Sequence, residues 1–180
     1  MTRTSKCGLS GTKTEQNLQN AARGEALTYT KYQLFSDIAA HDGYEQISRV
    51  FDQTANNEKE HAELWLGYLG LLGDTEENLE SALSGETYES NTLYPEAARI
   101  AAEEGFTELA DKFRLTGEVE ANHAKTFAKL LDALRDGTLF EGDADTEWVC
   151  LNCGCRVKGN MPPEHCPLCS YPKGFFAKAD

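Results

Sequence analysis

The sequence predicts an all-α four-helix bundle followed by a small, metal-stabilised C-terminal domain. Three observations carry that prediction. Seven-residue apolar spacing recurs over four long segments. A Gly-Glu…Glu-x-x-His pattern occurs twice, once as Gly24-Glu25 with Glu58 and His61, and again as Gly85-Glu86 with Glu120 and His123. Two Cys-x-x-Cys pairs, Cys150/Cys153 and Cys166/Cys169, close the chain.

The first helix is read from the stripe Leu18, Ala22, Glu25, Tyr29, Tyr32 and Ala39. The second runs through Ile47, Phe51, Thr54, Glu58, His61, Trp65, Tyr68 and Leu72. The third holds Leu79, Ala82, Glu86, Glu89, Leu93 and Ile100, with Pro95 placed to bend it. The fourth holds Phe106, Leu109, Phe113, Thr116, Glu120, His123, Phe127, Leu130 and Leu134. Gly43, Gly73 and Gly105 punctuate the ends, and Thr75 is an N-cap candidate ahead of Glu76 and Glu77. Alternating steps of three and four favour packing at shallow crossing angles.

Each stripe is interrupted midway by a carboxylate, twice with a histidine one turn later. An ionised carboxylate in a dry core is costly, and several in one layer repel one another. Metal cations remove both problems. The i,i+3 spacing of Glu58/His61 and Glu120/His123 puts each pair on one helix face, and such an inventory suits two metal ions inside a helical bundle.

The two halves also match beyond these residues. Ala39-Ala40-His41-Asp42-Gly43-Tyr44 aligns with Ala101-Ala102-Glu103-Glu104-Gly105-Phe106, and the offset of 62 holds through Glu58/Glu120 and His61/His123. At Gly24/Gly85 the offset is 61, so the second half gains one residue in between. This reads as a duplicated helix pair, with the long connection from Gly73 to about Asn78.

From 136 to 146 the helical period is lost and Gly and Asp accumulate. The expected division is a bundle over 1–138, a linker over 139–146 and a cysteine domain over 147–180. That last segment holds five of the six cysteines, and so short a piece needs a metal or disulfides to fold.

The net charge of −13, from 17 basic and 30 acidic residues, repels phosphate backbones and anionic lipids and argues against nucleic acid and membrane partners. No apolar run reaches the roughly 18 residues of a membrane span, and no secretory signal follows Met1. A cytoplasmic, reducing location is expected, where paired Cys-x-x-Cys units read as metal or redox sites.

Carboxylate with imidazole suits iron or manganese. Glu58 and Glu120 are the expected bridges, and Glu25 and Glu86 the terminal ligands. Glu89, one turn after Glu86, is either a solvated glutamate or a seventh ligand. Two ferrous ions offer the two electrons that reductive cleavage of a peroxide needs. Four thiolates mean tetrahedral iron or zinc, and the absence of a βαβ pattern argues against a thioredoxin-like role. Trp148, Tyr171, Phe175 and Phe176 could wrap that site. Tyr32 and Tyr94 on the inner faces either donate to ligand carboxylates or simply pack. Cys7, Cys155, His41 and His165 are given no role.

Taken together, Gly24-Glu25, Asn57-Glu58-x-x-His61-Ala62, Gly85-Glu86-x-x-Glu89, Tyr94-Pro95, Glu103-Glu104-Gly105, Glu120-x-x-His123 and the terminal cysteine knuckles resemble the rubrerythrins, over nearly the whole chain and in the family's order. The resemblance implies an all-α ferritin-like four-helix bundle with a non-haem diiron site, then a small C-terminal rubredoxin-like metal-binding domain. It implies a peroxidase reducing hydrogen peroxide to water in oxidative-stress defence. Electrons would come from NAD(P)H through a separate rubredoxin reductase or rubredoxin-type donor. It assigns Glu25, Glu58, His61, Glu86, Glu89, Glu120 and His123 to the two irons, with Glu89 and His61 exchanging at one of them. Cys150, Cys153, Cys166 and Cys169 would hold the single iron, and a homodimer or larger assembly is expected. Leu93 departs from a commonly seen methionine, and Cys155 stands where an aromatic residue is usual. The competing expectations are a ferroxidase or iron-storage-like protein, and an electron-transfer or sensor module without turnover.

Overall fold

The computed structural model describes residues 8–179; Cys7 lies outside the described residues. The chain divides into two compact units, Met1–Asp74 and Thr75–Asp180. Among the described residues no helix is long and apolar enough to cross a membrane.

The first unit is a helical hairpin of α1 (Lys13–His41) and α2 (Glu45–Tyr68). Thr12 caps α1 by accepting the Glu15 N–H at 3.0 Å, while the Glu15 carboxylate accepts the N–H of Gly11 at 2.7 Å. Gly43 (φ 83°) ends α1, with Tyr44 N–H donating to Ala39 C=O and Gly43 N–H to Ala40 C=O. Ala22, Ser36, Ala39, Ala55 and Ala62 are buried along the seam. The Ser36 hydroxyl donates to Ser48 C=O at 2.9 Å, and Tyr32, Phe35 and Phe51 form an aromatic cluster.

In the second unit, α3 (Thr75–Tyr88), a π-helical turn (Glu89–Leu93) and α4 (Tyr94–Glu103) run in sequence and pack on α5 (Thr107–Arg135). At its far end α5 is tied to the start of α3 by Arg135, which donates to Glu76 at 2.8 Å and also to Glu80. Gly105 (φ 86°) closes α4 as Gly43 closes α1, with Phe106 N–H on Ala101 C=O. The repeated helix end is the duplication read in the sequence.

Three details differ from the sequence reading. The second helix stops at Tyr68, with Gly70 (φ 64°) as the terminating glycine, so Leu72 and Gly73 lie beyond it. Thr75 is the first helical residue and Asn78 is inside α3, so the connection is residues 69–74. The third helix is interrupted, because a π turn accommodates one extra residue within a helix. The single residue gained by the second half therefore sits at 89–93, and Pro95 falls in the first turn of α4, where its missing N–H costs nothing.

Gly117 on α5 faces this turn. A Cβ there would lie 3.2 Å from Tyr94 Cβ and 3.9 Å from Ser90 O. Its counterpart in the first half is Ala55, which is fully buried. The facing helix drops from alanine to glycine where the extra residue thickens the neighbour. Gly117→Leu is expected to cost about 1–3 kcal/mol by overpacking. Gly117→Ala should be close to neutral, since about 1 kcal/mol of helix propensity offsets the crowding. Urea unfolding of the two variants checks both.

Several residues of the expected inner stripes stay exposed, among them Ile47, Ile100, Phe106 and Leu109. Within either unit two layers of helix cover only one flank of a stripe.

After α5 the chain forms a three-stranded antiparallel sheet in the order β2-β1-β3, from β1 (Glu147–Cys150), β2 (Arg156–Lys158) and β3 (Phe176–Lys178). Trp148 is fully buried and its indole N–H donates to Gly159 C=O at 2.8 Å. Trp148, Cys150, Cys166 and Phe176 are the core, flanked by Phe140, Cys155, Val157 and Cys169.

Candidate metal centres

In the first unit, Glu25 on α1 meets Glu58 and His61 on α2, each offering a ligand atom within 4.8 Å of the others. Glu58 Oε2 lies 2.9 Å from His61 Nδ1. In the second unit, Glu86 on α3 meets Glu120 and His123 on α5 in the same way. His123 Nδ1 is 2.6 Å from Glu120 Oε2 and 3.6 Å from Glu86 Oε2. The glutamates are the sheltered members, with side-chain exposures of 18% for Glu58 and 15% for Glu120 against 54% and 52% for the histidines. Both triads result from the i,i+3 spacing on one helix and a single glutamate on its neighbour.

Glu89 is not a member of either triad. It begins the π turn, partly buried. Tyr94 lies one residue past the end of that turn, and its phenol is pushed above its ordinary range by burial first, then by the charges of Glu89, Glu120 and Glu86. Tyr94 therefore faces the acidic cluster as well as packing on Phe113, at 6.3 Å between ring centroids. Tyr32 packs on Phe35 and Phe51.

The four cysteines sit on two matching loops. Gly154 (φ 75°) follows Cys153, and Gly154 N–H donates to Cys150 C=O at 2.7 Å. Ser170 (φ 60°) follows Cys169, and Ser170 N–H donates to Cys166 C=O at 2.9 Å. The first loop was legible from its glycine. The second was not, because a serine occupies the left-handed conformation, at a cost of about 1–2 kcal/mol. Cys150 and Cys166 are buried, Cys169 is partly buried and Cys153 is exposed.

Cys150 Sγ is 3.8 Å from Cys169 Sγ, and Cys153 Sγ is 3.6 Å from Cys166 Sγ. Metal–sulfur bonds of about 2.3 Å in a tetrahedron place sulfurs about 3.8 Å apart, so these four fit one ion. Burial opposes the Cys166 thiolate, but N–H groups of Cys169 and Leu168 and the thiols of Cys169 and Cys153 draw it down to about 6. The Cys155 N–H favours the Cys153 thiolate, but the neighbouring cysteines and burial outweigh it and push that thiol up to about 12. Cys155 is partly buried against the core, outside the four-sulfur group. The carboxylate–imidazole triads, by contrast, are donors for iron or manganese.

Two family models match the chain. One, described as rubrerythrin, covers residues 16–77 and 77–149; the other, described as the rubredoxin-like domain of rubrerythrin, covers 148–177. A putative rubrerythrin of Methanocaldococcus jannaschii is 40% identical, over 91% of this chain and 91% of its own. A rubrerythrin of Porphyromonas gingivalis is 39% identical, over 93% of this chain and 90% of its own. Among solved structures, fully reduced, all-ferrous nigerythrin matches 99% of this chain and 94% of its own, at 29% identity and a TM-score of 0.36.

Proposed function

Because this chain belongs to the rubrerythrin family, we propose that it is a non-haem diiron peroxidase, reducing hydrogen peroxide to water in oxidative-stress defence. Its cofactors are those of the family, a diiron site and an iron centre in a rubredoxin-like domain. The observation that carries the proposal is the presence in one chain of two carboxylate–histidine triads and a four-thiolate centre.

Glu25, Glu58, His61, Glu86, Glu89, Glu120 and His123 would hold the iron pair, and Cys150, Cys153, Cys166 and Cys169 the single iron. A diiron pair, when bound in its ferrous state, would supply the two electrons that, with two protons, convert one peroxide into two waters. The five glutamates bring five negative charges, between the four positive charges of two ferrous ions and the six of two ferric ions. A phenol is protonated at neutral pH in any setting, and burial and then the charges of Glu89, Glu120 and Glu86 push that of Tyr94 still further from ionisation, so it keeps an O–H donor available. Cys153, exposed where Cys150 and Cys166 are buried, supports electron entry through the cysteine domain.

We read the donor as an NAD(P)H-dependent rubredoxin reductase or a rubredoxin-type protein, and the location as cytoplasmic. Leu27, Leu34 and Ile38 form a second, exposed apolar stripe on α1, which supports a homodimer or larger assembly. We divide the chain functionally into residues 1–138 for the diiron chemistry, 139–146 as linker and 147–180 for electron entry.

The test is anaerobic reduction followed by rapid mixing with peroxide or with oxygen. Iron oxidation is expected to be faster with peroxide, and faster oxidation by oxygen overturns the proposal. Glu89→Ala should lower peroxide turnover at least about tenfold with unchanged helical circular dichroism; retained turnover removes Glu89 from the site.

A further inference from the structure

A groove of about 730 Å³ is formed by the end of α5, residues 138–142 and β3. That volume is in the range of small-molecule sites. Leu130, Leu139, Phe140 and Phe176 supply its apolar lining, and its charged groups are Lys129, Lys178 and Glu141. A third ammonium, that of Lys173, stands 5.5 Å over the Phe140 ring and 3.6 Å from Glu164. A lining with more cations than anions runs against the composition of a chain with 17 basic and 30 acidic residues. Phe176 belongs to the groove and to the cysteine site at once. It is buried with Cys150 and Cys166, and it pairs with Cys150 across the sheet.

An apolar lining with lysines beside it matches a flat apolar ring that carries a phosphate. The ring gains by leaving water, and the phosphate is attracted by the ammonium groups. The position beside the cysteine site narrows the class further. An iron held by four thiolates changes by one electron, whereas a hydride donor releases two together. A flavin has the required shape and charge and also releases electrons singly. We infer that this groove binds flavin mononucleotide, with its ring on the apolar lining and its phosphate drawn to Lys129 and Lys178, as a small-molecule electron donor to the cysteine centre. The inference rests on the functional reading above. With ferric iron in the cysteine site, the anionic flavin hydroquinone gives up one electron and becomes the neutral flavin radical. The iron becomes ferrous, and no proton is transferred.

The experiment is a fluorescence-anisotropy titration of oxidised flavin mononucleotide with the full-length, iron-loaded protein. Riboflavin, which lacks the phosphate, is expected to bind at least about tenfold more weakly. Lys129→Glu and Lys178→Glu should each weaken flavin mononucleotide about tenfold. Both side chains are exposed, so melting temperatures should stay at the wild-type value. Under anaerobic conditions, photoreduced flavin mononucleotide should bleach the visible absorption of ferric thiolate, and at subsaturating flavin it should do so about tenfold more slowly in either variant. The peroxide mixing test above uses no flavin, so the two readings fail separately. No binding, equal affinity for riboflavin, unchanged affinity or bleaching rate in either lysine variant, or an affinity that falls as the protein is concentrated, which marks a second copy as the occupant, each overturns the inference.

Discussion

Replacing Cys166 with serine is expected to remove the iron of the C-terminal domain and unfold residues 147–178 while the helices persist. The reason is that core and metal site are the same object there. Of the four fully packed side chains, Trp148, Cys150, Cys166 and Phe176, two are sulfur ligands. The sheet has strands of four, three and three residues and cannot bury enough surface alone. Metal binding to four-ligand sites of this size contributes on the order of 10 kcal/mol of folding free energy, far above what the remaining contacts supply. Three readouts follow: one iron fewer per chain, loss of visible ferric-thiolate absorption, and a red shift of Trp148 fluorescence in a Trp65→Phe background. A variant that keeps its colour and a buried Trp148 would show that three sulfurs and the sheet suffice.

Glu120→Ala carries the second large effect. Glu120 is the most sheltered of the glutamates paired with histidine and touches His123 at 2.6 Å, so its loss removes the anchor of one triad. Reconstituted protein is expected to bind at least one iron fewer outside the cysteine site, and peroxide turnover should fall by at least about a hundredfold. Removing a partly buried carboxylate also removes a desolvation cost. Chelator-treated Glu120→Ala protein should therefore melt no lower than chelator-treated wild type, whereas metal-loaded wild type should melt higher than both. Full iron loading with wild-type turnover would disprove the ligand role.

The two substitutions separate cleanly because the centres are built differently. The cysteine domain folds around its ion. Each carboxylate triad is mounted on helices that have their own caps, seams and ion pairs, such as Thr12–Glu15 on α1 and Arg135 with Glu76 and Glu80 between α5 and α3.

Much of this was legible in the sequence, because the relevant spacings are local. Glu58/His61 and Glu120/His123 share a helix face by virtue of the helical repeat. Cys150/Cys153 and Cys166/Cys169 announce paired loops through their spacing. Gly43 and Gly105 mark helix ends because a left-handed residue is needed there. The change of offset from 61 to 62 recorded an extra residue but could not say how the chain absorbs it.

What the sequence determined by itself was composition on a face: which helices exist, which side chains share a turn, and which donor types occur. The tertiary structure alone decided how that inventory is distributed. It placed the extra residue in a π turn at 89–93 and set Gly117 against it. It turned Tyr94 toward three glutamates and let the Asn152 amide of one cysteine loop reach Cys169 Sγ on the other. It also selected Gly70 over Gly73 as the end of α2 and Ser170 as a left-handed residue. The physical reason is common to all of these. Periodicity records what a residue's own helix or loop does with it, whereas a close approach, a long-range hydrogen bond or a strained backbone depends on a second segment that spacing does not contain.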